Sequence, residues 1–123
     1  MPLGAQLNAQ LGSAPALAIL GELTAAATAT GASQSTAYAI TTANTVFTTV
    51  AAGTGARLPV TPTVSANDRL HVANHGASTL AVYPPTGGKL GTASANVPAL
   101  IAPGKCADFF CLDGTNYTAN LSA

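Results

Sequence analysis

The 123-residue chain carries four basic and four acidic side chains, no formal net charge, and only 7% charged residues, against about 25% in an ordinary soluble domain. Phosphate binding needs clustered Lys or Arg; Arg57, Arg69, Lys89 and Lys105 are too few and too scattered, which excludes nucleic acid as a partner. The length suits one domain that folds without a disulfide or metal, and a surface so poor in charge favours association over a solitary monomer.

Residues 1–23 form the first zone. They hold Leu3, Leu7, Leu11, Leu17, Ile19, Leu20 and Leu23 with one charged side chain, Glu22. Gly12, Pro15 and Gly21 break any continuous helix, so the zone reads as an extended arm with at most a turn or two of helix around residues 6–11. Its most apolar run, residues 14–20, is far shorter than the roughly 20 residues of a membrane-spanning helix. The first basic side chain is Arg57, so a secretory signal with a basic n-region is not expected. Made in the cytoplasm and not membrane-inserted is the resulting expectation.

Residues 24–123 read as a β domain. Between residues 24 and 52 Ala and Thr dominate, and Thr, Val, Tyr, Ile and Phe suit a pleated surface. Strands are predicted over residues 34–42, with Tyr38 and Ile40 on one face, and over 45–50, with Val46, Thr48 and Val50 opposite Phe47 and Thr49. Residues 68–74 alternate Leu70 and Val72 against His71 and Ala73; residues 79–83 alternate Leu80 and Val82 against Ala81 and Tyr83. The Gly-containing segment 74–78 between them has the length of a hairpin turn. Pro84 and Pro85 stop the strand. Short strands follow at 97–102 and 105–112, and Asp113-Gly114 predicts a two-residue hairpin returning through 115–121. About eight short strands near ten residues apart predict an all-β fold, a small antiparallel β-sandwich or jelly-roll-like barrel with the N-terminal arm extended from it.

Few residues are placed for chemistry. His71 and His75 are four apart but on a strand and a turn, so they lack the helical geometry that presents both rings to one metal. Cys106, Cys111, His71 and Asp108 could meet in space, yet no motif arranges a nucleophile with its base. In one strand the cysteines lie ~16 Å apart on opposite faces, too far for a disulfide, and read as small hydrophobes. Residues 86–89, Thr-Gly-Gly-Lys, lack the remaining spacing of a phosphate loop. No enzyme activity, cofactor or metal is expected. Phe109 and Phe110 are adjacent and must face opposite sides of a strand, so one of them needs cover from elsewhere, which predicts a homo-dimer or homo-trimer.

The run from Asp68 through Ala77, the segment Leu80-Ala81-Val82-Tyr83-Pro84-Pro85, the stretch from Gly104 through Tyr117, and residues 51–59 together resemble a β-module of small virion proteins of tailed bacteriophages. The resemblance covers residues 45–118. It implies a capsid decoration (cement) protein on the outer surface of the virion, binding across neighbouring subunits of the major capsid protein. The alternative it implies is a head- or tail-fibre tip that recognises a bacterial surface. On the first reading Leu3, Leu7, Leu11, Leu17, Ile19 and Leu20 of the arm contact the capsid; the competing reading is that these leucines complete the protein's own core.

Overall fold

The computed structural model describes residues 23–60, 64 and 66–122. They form nine strands and no helix: β1 (Leu23–Thr28), β2 (Tyr38–Ala39), β3 (Asn44–Thr49), β4 (Gly55–Arg57), β5 (Arg69–Asn74), β6 (Leu80–Tyr83), β7 (Ala99–Ile101), β8 (Cys106–Cys111) and β9 (Tyr117–Leu121). Leu23, grouped with the arm by composition, opens β1. The expected helical turn around residues 6–11 lies outside the described residues.

The strands make two mixed sheets. The first has the order β1-β3-β5-β8-β9, the second β2-β4-β6-β7. Up to β6 the chain alternates between them, so each return to a sheet runs in the same direction as before. β1, β3 and β5 are therefore parallel, as are β2, β4 and β6. Successive strands of the first sheet begin at Leu23, Asn44 and Arg69, spacings long enough for the crossover of a dozen or more residues that parallel neighbours require. Here the other sheet supplies the crossover, and the molecule winds three times. Only then does the chain reverse: β7 pairs antiparallel with β6, and β8 with β5 and β9.

This corrects the antiparallel expectation. The segment after β5 has the length of a hairpin loop but carries the chain to the opposite sheet. Asn74, fully buried, explains the turn: its Nδ2 donates to the Ser78 and Ile101 carbonyls, both at 2.8 Å, and its Oδ1 accepts from the Gly76 amide at 2.9 Å. One side chain thus ties the end of β5 to β7 in the other sheet. Gly76 is required by proximity, since a Cβ there would lie 2.7 Å from Val50. The β8–β9 hairpin forms as predicted, with a different turn. Gly114 takes φ +88° while Asp113 does not have positive φ, and Asp113 instead accepts the Thr115 and Asn116 amides and the Asn116 side chain. Those three hydrogen bonds hold its carboxyl below the usual carboxylate range.

Both sheets feed one core. Phe47, Leu70, Val72, Ala107, Phe109, Cys111 and Tyr117 come from the first sheet, and Ala56, Leu80, Val82 and Ile101 from the second. Tyr38 meets Phe47 edge-on from the other sheet, ring centroids 5.3 Å apart. β8 shows the period-2 pattern clearly, with Ala107, Phe109 and Cys111 buried and the residues between them half-exposed. In β3 the inward residues are Thr45 and Phe47, and Val50 is buried just past the strand end.

Candidate interaction surface

Strand register assembles a polar row on the outward face of the first sheet. Asn44 lies beside His71, His71 beside Asp108, and Asp108 beside Asn120. The His71 Nδ1 and Asp108 Oδ1 are 2.8 Å apart, both side chains partly exposed. On one side of the row, Arg69 pairs with Phe110, and its guanidinium carbon sits 5.7 Å from that ring's centroid. The outward phenylalanine, expected to need cover from a neighbouring chain or another sheet, therefore has partial cover from Arg69 on the adjacent strand, worth about 0.5–1 kcal/mol at an exposed site.

On the other side of the row Cys106 faces Ala73. Of the four residues that could have met, the fold brings His71 and Asp108 together and leaves Cys106 one cross-strand pair away. Cys111 points into the core, its thiol pushed up by burial, with the Gly114 amide donating to its Sγ at 3.1 Å. Both cysteines are free thiols. Among the described residues no group of three or more His, Cys, Asp and Glu side chains is placed to hold a metal, and no helix is long and apolar enough to cross a membrane. Asn44, Asn120 and Phe110 were not singled out from the sequence as parts of one surface. Alternation reveals which way each points, but only register makes them neighbours.

A second feature lies where the chain leaves the second sheet. The exits of β2, β4 and β6 stack on one another: the Ile40 amide donates to the Arg57 carbonyl at 3.0 Å and the Leu58 amide to the Tyr83 carbonyl at 2.9 Å. Between them runs a groove of ≈380 Å³ lined by Ile40, Leu58, Pro59, Val60 and Pro85, with Arg57 as its charged member. Its floor is fixed from the core by the Tyr117 hydroxyl, which donates to the Pro59 carbonyl at 2.5 Å; burial holds that phenol far above its ordinary range.

Several large apolar side chains stay exposed: Leu23, Val60, Val97, Leu100, Leu112 and Leu121, at 44–62% of their surface. The arm residues expected to make contacts, Leu3, Leu7, Leu11, Leu17, Ile19 and Leu20, lie outside the described residues. Compared with known proteins, the chain matches no family model, no curated protein and no solved structure.

Proposed function

We propose that this protein is a structural, non-enzymatic component of a tailed-phage virion, which decorates and stabilises the capsid from outside by binding across neighbouring subunits of the major capsid protein. The observation that carries the reading is the coincidence of a nearly uncharged chain with six large apolar side chains exposed among the described residues. Each fully covered Leu or Val contributes about 1.5–3 kcal/mol, and repetition over an oligomer multiplies the effect. The two sheets act as a small β-sandwich that presents these side chains, and the protein works as a homo-dimer or homo-trimer. The leucine-rich arm supplies the anchor, with Leu3, Leu7 and Leu11 farthest along the chain from the folded domain. Purified protein added to heads that lack it tests this directly. Saturable binding at hundreds of copies per particle is expected; no binding to heads refutes it.

The second reading, a fibre tip that recognises a bacterial surface, is favoured by the Asn44–His71–Asp108–Asn120 row beside Phe110. Such a row offers hydrogen-bonding groups next to an aromatic face. A handful of copies per particle, with binding to whole cells, would favour that reading over decoration.

A further inference from the structure

We infer that the protein pairs with a second copy of itself along β9, edge to edge, so that two five-stranded sheets become one continuous sheet with a twofold axis at Asn120. The pattern of backbone groups carries the argument. The first sheet ends in β1 and β9, the second in β2 and β7. An open edge is a template for another strand, and proteins blunt such edges with short strands, bulges, charges or proline. β2 and β7 are two and three residues long, and β1 shifts register on both sides of Ala27. β9 has none of these devices: Tyr117–Leu121 pairs with β8 in unbroken register and holds neither a charge nor a proline. At its start the edge is already taken, since the Tyr117 amide donates to the Lys89 carbonyl at 3.0 Å and the Tyr117 carbonyl accepts from the Gly91 amide at 2.8 Å. On the β8 side the Ser122 amide donates to the Cys106 carbonyl. Alternation between these two points turns the amides and carbonyls of Ala119 and Leu121 outward, where none of the described residues bonds them.

Those outward groups fit a copy of themselves. With the twofold axis at Asn120, Ala119 lies opposite the partner's Leu121, and Leu121 opposite the partner's Ala119. Each pair exchanges both its hydrogen bonds, as a hydrogen-bonded pair of an antiparallel ladder does. An axis at Ala119 would set Leu121 against the partner's Tyr117, whose groups are occupied. The side chains agree with the axis at Asn120. Leu121 is 47% exposed and shares the inward face with Ala119, which packs on the core. Pairing lays each Leu121 over the partner's Ala119 and takes apolar surface out of water. On the outward face Asn120 meets the partner's Asn120 at the close spacing of a non-hydrogen-bonded pair, about 4.5 Å between Cα atoms, and a carboxamide both donates and accepts. The two Asp108 carboxylates stand three strand spacings apart, ~14 Å, beyond the Debye length of about 8 Å in physiological salt. The polar row then runs unbroken from Asn44 through Asn120 of one copy into that of the other. The contact is isologous and closes at two copies. The inference rests on the homo-oligomer of the proposed function, whose surface it names, and not on what that oligomer binds.

The test uses the full chain with Cys106→Ser and one new cysteine, treated with diamide at micromolar protein. Asn120→Cys puts a thiol on the axis, within disulfide reach of its own copy. Thr118→Cys, on the same outward face, lies four residues out of register, ~13 Å along the strand from its copy. Both positions are exposed, so neither substitution disturbs the core. Expected is a covalent dimer that forms at least tenfold faster from Asn120→Cys than from Thr118→Cys, by analogy with the ~7 Å limit on bridged Cα atoms. Equal rates, a faster Thr118→Cys, or no covalent dimer would overturn the inference. In the unsubstituted full chain, sedimentation gives the mass of two copies, and the Ala119 and Leu121 amides resist hydrogen exchange until dilution separates the copies. An oligomer in which both amides exchange freely, or protection that persists in a chain of monomer mass, refutes pairing through β9. An oligomer joined elsewhere leaves the decoration reading standing, and heads that bind no protein sink that reading while leaving the β9 pair intact.

Discussion

Replacing Asn74 by Ala removes the side chain that turns the chain from one sheet to the other. The variant leaves the buried Ile101 carbonyl without its 2.8 Å donor and deprives the part-buried Ser78 carbonyl and Gly76 amide of theirs. Ile101 keeps its ladder partner Leu80, so each of the three lost bonds costs about 0.5–1.5 kcal/mol, giving ~1.5–4.5 kcal/mol in all. That is a large share of the roughly 5–15 kcal/mol that holds a domain together. Asn74→Asp separates the hydrogen bonds from mere shape. Its carboxylate keeps the acceptor for Gly76 but faces two carbonyl oxygens with a buried charge, which raises its folded pKa above the unfolded value of about 3.9. The folded state then binds more protons, so this variant is most stable at and below pH ~4 and loses stability as pH rises toward its folded pKa. Asn74→Ala has no such slope relative to the parent. Urea unfolding followed by circular dichroism across pH 3–8 measures both. A parent-like midpoint for Asn74→Ala, or an Asn74→Asp variant insensitive to pH, would refute the assignment of the crossover to this side chain.

Three further outcomes are expected. Gly76→Ala destabilises by about 1–3 kcal/mol, the range for overpacking. Adding Val50→Ala does not rescue it, because the Val50 amide nitrogen lies as close to the new Cβ as its side chain does, 2.7 Å; chemical denaturation reads this. Maleimide labels half-buried Cys106 in the folded protein and labels Cys111 only after denaturation, since Cys111 is fully buried and its thiol is pushed up; mass spectrometry counts one adduct, then two. The stabilisation that Asp113 gives the β8–β9 turn is complete above the unfolded carboxyl pKa of about 3.9. It is lost as pH falls below that value through the depressed folded pKa, and Asp113→Asn abolishes that dependence, read from the amide shifts of Thr115 and Asn116.

By itself the sequence determined that the fold is all-β, where most strands lie, and which way their side chains point. Leu70 shares the core face with Val72, and Leu80 with Val82, as their alternation requires, and Phe109 and Phe110 face opposite ways, because the period of two is a property of a single strand; that Phe109 is the buried one came only with the structure. The sequence also determined the β8–β9 hairpin, because Asp113 and Gly114 act within a few residues of each other, and the separation of Cys106 from Cys111 on opposite faces of one strand. Strand partners were decided by the tertiary structure. The segment 74–78 is compatible in length with either a hairpin or a crossover, and the choice falls to a contact between Asn74 and Ile101, 27 positions away. That choice sets β6 parallel beside β4; the same alternation at the earlier crossings makes β1, β3 and β5 parallel, and β2 and β4. The row from Asn44 to Asn120 and the groove that stacks Ile40, Leu58 and Pro85 depend on these pairings too. Each of these surfaces joins residues from separate windings, and local propensity carries no information about which windings become neighbours; only burying both sheets in one core fixes that.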